Sequence, residues 1–410
     1  EYYSLQEAVD AVTVKGETIE LLRNLTTLLN SDTITNPSDK DITLDIKGHD
    51  VLIGNGPFIT NEGTLKLTNS ENVIDDSGLI TTEKGYINGQ KSIIINNKGN
   101  LETENIRLLS NNLAVTNIGD YIITDSTIEG SGNKIENNEN GTLTFNGGKI
   151  VITGSYSAIV NNSTNKIVMN KGLIHSNVDR YSDPTTIMMK KGEFIMNNGE
   201  IRNDKDSSDG GNTVFTIASD AKVTINDGII TQNNGWGPTF ISNSGILNIK
   251  NGTITSNASF HGFIRNTGEF NISGGSIKSY FENGKLGTIN MTGGNITSNT
   301  SRDVVSNSGM LNISGGTITN TGSYSIKNTG NVNITGGTYT SSSPVLYNES
   351  GITNISNVTL DNVPIAISQT GGTTNIKENT IINANDKGID ISGGTLNIGE
   401  KGNVSFTDPS

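Results

Sequence analysis

The chain has 410 residues, with 28 Lys or Arg against 41 Asp or Glu, so its net charge is −13 and its field disfavours nucleic-acid phosphates. It has no cysteine, which removes disulfides and thiolate chemistry, and no apolar run approaches the length of a membrane-spanning helix. Only 32% of the residues are hydrophobic, so a chain of this length folds only around a thin core.

At the N-terminus, Ser4-Leu5-Gln6-Glu7 has the spacing of a capping box, and Ala8, Val9, Ala11 and Val12 continue an apolar stripe. This predicts a short amphipathic helix over 4–12 within a capping segment, 1–40, that shields the exposed end of whatever follows. The chain begins at Glu1, without Met and with no signal peptide visible, so a leader or preceding region is expected to have been removed.

From Asp41 a repeat runs to the end. Its early copies are Leu65-Lys66-Leu67, Leu101-Glu102-Thr103 and Ile122-Ile123-Thr124. Later copies begin at Leu143, Ile167, Phe194, Val223, Leu247, Phe270, Ile289, Leu311, Val332, Thr353, Thr374 and Leu396. From Leu311 the steps are 21, 21, 21 and 22 residues, too short for a helical repeat and suited to one coil of a β-helix.

Period-2 alternation identifies the strands in each coil: Leu311 and Ile313 point in, Asn312 points out. A Gly pair such as Gly315-Gly316 then permits a sharp corner, and a second strand buries one aliphatic, Ile318 in this coil. The third strand ends in Ile-x-Asn-x-Gly, as at Ile326-Lys327-Asn328-Thr329-Gly330, with the Asn on the parity of the buried aliphatic. Such asparagines are expected to stack as a structural amide ladder rather than to hold a ligand. The fold class is therefore all-β: a parallel β-helix, right-handed by the general preference of parallel crossovers, with three short strands per coil of about 21 residues. The expected domain spans 41–410, continuous and truncated at its C-terminus. About sixteen coils at about 4.8 Å would make a monomeric rod roughly 75 Å long.

The segments Tyr3-Ser4-Leu5-Gln6-Glu7-Ala8-Val9, Thr18-Ile19-Glu20-Leu21-Leu22 and Ile42-Thr43-Leu44-Asp45-Ile46-Lys47-Gly48-His49, followed by the Asn-Ile-Ser-Gly-Gly-Thr-Ile repeats, resemble pectate-lyase-like β-helix domains in surface proteins of Gram-positive bacteria. The resemblance covers nearly the whole chain. It implies a secreted, cell-surface module of the kind found in adhesin stalks and in carbohydrate-active enzymes.

The rhythm stretches between Leu143 and Leu247, where the steps are 24, 27, 29 and 24. The extra residues follow the second strand, so they are expected to loop out on one side of the solenoid. There the sequence concentrates Arg180, Tyr181, Asp183, Asp204, Asn233, Trp236, Phe260 and His261, a mixture of aromatic and directional polar groups that suits a sugar. His175, Arg202 and Asp204 are the candidates for a base and charge clamp should the loops catalyse. The chain lacks the Gly-His-Gly and Asn-Thr-Asp segments of polygalacturonase-like enzymes. Asp204, Asp206 and Asp209 are candidate calcium ligands, with a spacing that departs from the EF-hand; no other cofactor is expected. Function reads as an extracellular adhesin or stalk domain that binds glycan or a host matrix protein through this loop side. A polysaccharide lyase or glycoside hydrolase at the same loops, and a passive spacer, remain open.

Overall fold

The computed structural model describes residues 1–28, 33–54, 56–76, 78–177, 185–204, 213–233, 239–257, 262–298, 301–399 and 405–406. They form a parallel β-solenoid of about 15 turns, and the only helix among them is Leu5–Ala11. Contacts divide the chain into two compact units, Glu1–Thr216 with Asn233–Trp236, and Ile217–Gln232 with Gly237–Ser410.

The first unit begins with the predicted helix. The Glu7 amide donates to Ser4 Oγ at 3.2 Å, and the Tyr3 amide donates to Glu7 Oε2 at 3.2 Å, so the box closes one residue further out than the usual form. Ala8, Val9 and Val12 are buried while Ala11 faces out, because the apolar stripe is narrower than the four residues suggest. Gln6 shows what the helix is for. Its Nε2 donates to Thr35 O at 3.1 Å and its Oε1 accepts from Thr35 N at 2.7 Å, so one side-chain amide stands in for a neighbouring strand.

Coiling starts earlier than Asp41. Glu17–Glu20 already pairs in parallel with the strand Asp41–Asp45, and Ile34–Asn36 with Ile59–Asn61, so residues before Asp41 supply a first turn. The inward column of the first strand then runs Ile42, Leu65, Leu101, Tyr121, Leu143, Ile167, Phe194. Tyr121, not Ile122, occupies the inward place: the phenol is fully buried and hydrogen-bonded to Thr103 Oγ1 at 3.1 Å, while Ile122 is 40% exposed. Hydropathy alone favours the isoleucine pair. A ring with a hydroxyl partner fills the core better, and one residue of register exchanges the two faces.

The longest coil of this unit is also one the repeat rhythm did not reveal. Leu65 to Leu101 takes 36 residues and includes an antiparallel hairpin, Val73–Ile74 with Ile80–Thr82. Asparagines pin its base: Asn72 Oδ1 accepts from Lys84 N at 2.7 Å, and Asn105 Nδ2 donates to Asn72 O at 2.9 Å.

In the second unit the predicted column holds rung by rung from Val223 to Leu396. The two glycines of each corner have different reasons. Gly316 has φ +90°, a left-handed value, whereas at Gly315 a Cβ would run into the carbonyl oxygen of Thr292 in the preceding coil.

Both units carry the predicted amide ladder. In the first, Nδ2 of Asn36, Asn61, Asn97, Asn117 and Asn137 each donates to Oδ1 of the next, ending at Asn161, at 2.7–2.8 Å. In the second, the same relay runs from Asn243 through Asn266, Asn283, Asn307, Asn328 and Asn348 to Gln369, lengthening from 2.7 to 3.4 Å. These side chains are buried, and spare N–H groups reach strand and turn carbonyls, such as Asn117 Nδ2 to Gly119 O at 3.0 Å.

Candidate functional site

The second strand of each coil in the first unit alternates as its sequence requires. Lys166–Ser176 pairs with Glu200–Asn203 in the register Leu173 to Glu200, Ile174 to Ile201, His175 to Arg202 and Ser176 to Asn203. Ile174 and Ile201 are fully buried, so period 2 turns His175 and Arg202 outward on adjacent coils. Asp204 follows at the end of the strand, held by its own amide, which donates to Ser176 O at 2.9 Å. Asn233 N donates to Asn203 O at 2.8 Å and brings a third element to the same place.

The side chains converge on the Asp204 carboxylate. His175 Nε2 lies 2.9 Å from Oδ2, Arg202 Nε lies 2.7 Å from the same oxygen, and Asn233 Nδ2 donates to Oδ1 at 2.8 Å. The Arg202 contact is one of charge without hydrogen-bond alignment, and its Nε–H is left buried with no aligned acceptor. Arg202 Nη1 is also 3.4 Å from Glu200 Oε1. The guanidinium thus stands between two carboxylates. His175 is 13% exposed, and Asp204 26%. Burial and the neighbouring Arg202 charge hold the imidazole below its ordinary pKa, against the opposing pull of Asp204. The imidazole is then neutral at pH 7 and the cluster carries one net negative charge.

Of the residues singled out from the sequence, the structure brings together His175, Arg202, Asp204 and Asn233. Arg180, Tyr181, Asp183, Trp236, Phe260, His261, Asp206 and Asp209 lie outside the described residues. Among the described residues no group of three or more His, Cys, Asp or Glu is arranged to hold a metal ion, and Asp204 already serves three protein partners.

Two polar features went unread in the sequence. On the same outward strand face, Arg107 bridges Glu129, through Nε at 2.9 Å and through Nη2, and Glu83, through Nη1. Lys134 is fully buried in a column of core residues that otherwise holds Phe58, Ile94, Ala114 and Ala158. Its Nζ donates to the backbone oxygen of Ser110, and burial pushes its pKa down to about 7 despite the opposing Glu129 charge. The only sequence signal was position: a Lys immediately before Ile135, where the neighbouring coils carry Ala114 and Ala158.

The chain was compared with family models, with curated proteins and with solved structures, and it matches none of them. The described residues define a parallel β-solenoid that carries a polar cluster centred on Asp204.

Proposed function

We propose that this chain is a binding and spacer module of an extracellular bacterial surface protein, of the pectate-lyase-like adhesin type, that engages a glycan through the face around Asp204. The observation that carries the reading is the convergence of His175, Arg202 and Asn233 on one partly exposed carboxylate. Donors and acceptors fixed in direction on a rigid strand face suit hydroxyl-rich ligands, whose recognition depends on orientation more than on net charge. Tyr181, Trp236 and Phe260, which the sequence offers as stacking groups for sugar rings, lie outside the described residues.

A second reading, a lyase or hydrolase at the same place, draws support from His175, whose depressed pKa keeps it a neutral base near pH 7. Against it stands Arg202. Flanked by Glu200 and Asp204, its charge is compensated and it is poorly placed to clamp an anionic substrate.

Glycan-array binding by the wild type and by Asp204→Ala and Trp236→Ala tests the proposal. Binding that falls at least tenfold in both variants is expected; binding that is unaffected by either removes the site from consideration. Product release from polysaccharides that His175→Ala abolishes would establish the enzyme instead.

A further inference from the structure

The second unit carries another ladder, on the outside. From Asn248 to Asn397, eight outward asparagines occupy successive rungs of the first strand, and each Nδ2 from Asn271 onward donates to Oδ1 of the preceding rung at 2.8–2.9 Å. The relay runs opposite to that of the buried ladder. Beside it, two residues earlier on each strand, a second outward column runs from Ile246 to Thr395 and includes Met310 and Ile352, the latter 48% exposed. Across these two columns the only charged residue is Glu269, and Asn271 Nδ2 already donates to it at 2.7 Å. Glu269 apart, the face is uncharged in a chain of net charge −13.

An amide offers two N–H groups and two acceptor positions. At Asn290, Asn312 and Asn354 the ladder uses one of each and leaves one donor and one acceptor, whereas Asn271 and Asn333 spend their second N–H on Glu269 Oε1 and Met310 Sδ. The spare acceptor therefore repeats at the strand spacing, about 4.8 Å. A partner that engages every rung at once must carry the same repeat. A second copy of this face does so by construction, whereas a polymer with another spacing drifts out of step after a few rungs. Near-absence of charge points the same way, since charged groups are depleted where protein surfaces meet, and like-charged chains approach most closely where both present least charge.

We propose that the outward asparagine face of the second unit pairs with the same face of a second copy, in a two-fold, self-complementary arrangement. Eight rungs of a four-residue strand span on the order of 450 Å² per partner, so the pair buries roughly 900 Å², below the standard range for stable complexes. The association is therefore weak in dilute solution. It becomes populated where copies are crowded or tethered, since tethering supplies a high effective concentration. This departs from the solitary rod expected from the sequence, and it stands independently of the glycan reading.

Sedimentation velocity of the full chain between about 5 and about 500 µM tests it. A dimer that grows in over the upper decade is expected, and Thr288→Lys, beside the ladder but not part of it, is expected to raise the dissociation constant at least tenfold at low salt. Thr319→Lys, on the neighbouring strand of its coil, is the control and leaves the dimer in place. Circular dichroism melting at the wild-type temperature establishes that each variant is folded. A wild type monomeric throughout, or a dimer insensitive to Thr288→Lys, overturns the proposal, whatever the glycan array shows.

Discussion

Met189 stands on the rung next to Asn161, and the first buried amide ladder stops there. Asn161 turns its Nδ2 to Lys191 O at 2.7 Å and Ser163 O at 2.9 Å instead. The oxygens that head the two ladders, Asn36 Oδ1 and Asn243 Oδ1, are buried without a partner, because neither has a donating amide on the rung before it. Interior members have all their groups in use, so removing one orphans its neighbours.

That difference between buried and outward ladders is measurable. Asn117→Leu deletes the acceptor for Asn97 and the donor for Asn137 Oδ1. It is expected to cost about 2–4 kcal/mol in urea unfolding, the sum of two or so buried unmade hydrogen bonds. Asn312→Ala on the exposed face is expected to cost less than about 1 kcal/mol. Equal losses would mean that the buried ladder is not a structural element.

Lys134 sets a pH dependence. Its native pKa of about 7 lies below the value of about 10.4 for an unfolded lysine, so between these pH values the unfolded chain holds a proton that the native one lacks. Stability therefore rises with pH from about 7 towards 9.5, by up to about 1.4 kcal/mol per unit, and this contribution is flat below pH 7 where both states are charged. Lys134→Met is expected to unfold at higher urea than wild type at pH 6.5 and to lose the slope. An unchanged slope in the variant would assign it to another group.

The His175 titration reports the geometry of the candidate site. Arg202 lowers the imidazole pKa and Asp204 raises it, so Arg202→Gln is expected to move it up and Asp204→Asn to move it further down. With three histidines in the chain, the ring resonances are readily separated by NMR. The same shift makes native stability fall as pH drops below about 6.5, where unfolded histidine takes up a proton first. A response of His175 in the opposite sense would refute the contact with Asp204.

Gln6 ties the cap to the first coil at Thr35, as Lys40 Nζ does through Asp10 O and Val12 O. Gln6→Ala removes both bonds to the Thr35 backbone and is expected to cost about 1–2 kcal/mol. Hydrogen exchange at the Thr35 amide should accelerate at least tenfold, and an unchanged rate would show that the helix protects the edge by other means.

Much of this was legible in the residues. Period-2 alternation placed the inward column from Leu143 to Leu396, and the parity of Asn328 placed it inside, because a strand has only two faces and each choice fixes every second residue. The same rule put His175 and Arg202 on one outward face. It failed at Ile122, where two apolar residues in succession leave the parity undecided and only packing against Thr103 selects Tyr121. It failed also at the hairpin of residues 73–82, whose excursion carries no repeat signal of its own.

The sequence by itself determined the repeat, its strands and its corners, since these follow from local alternation and from glycines that no other residue replaces. The tertiary structure decided what neighbouring coils do to one another. Stacking brings Asp204 to His175 across 29 positions of chain and buries Lys134 among apolar side chains. It also joins eight outward asparagines into one face whose single charge is Glu269. Each of these depends on which residue lies one coil away, a distance of about 4.8 Å in space that spans twenty or more residues of sequence.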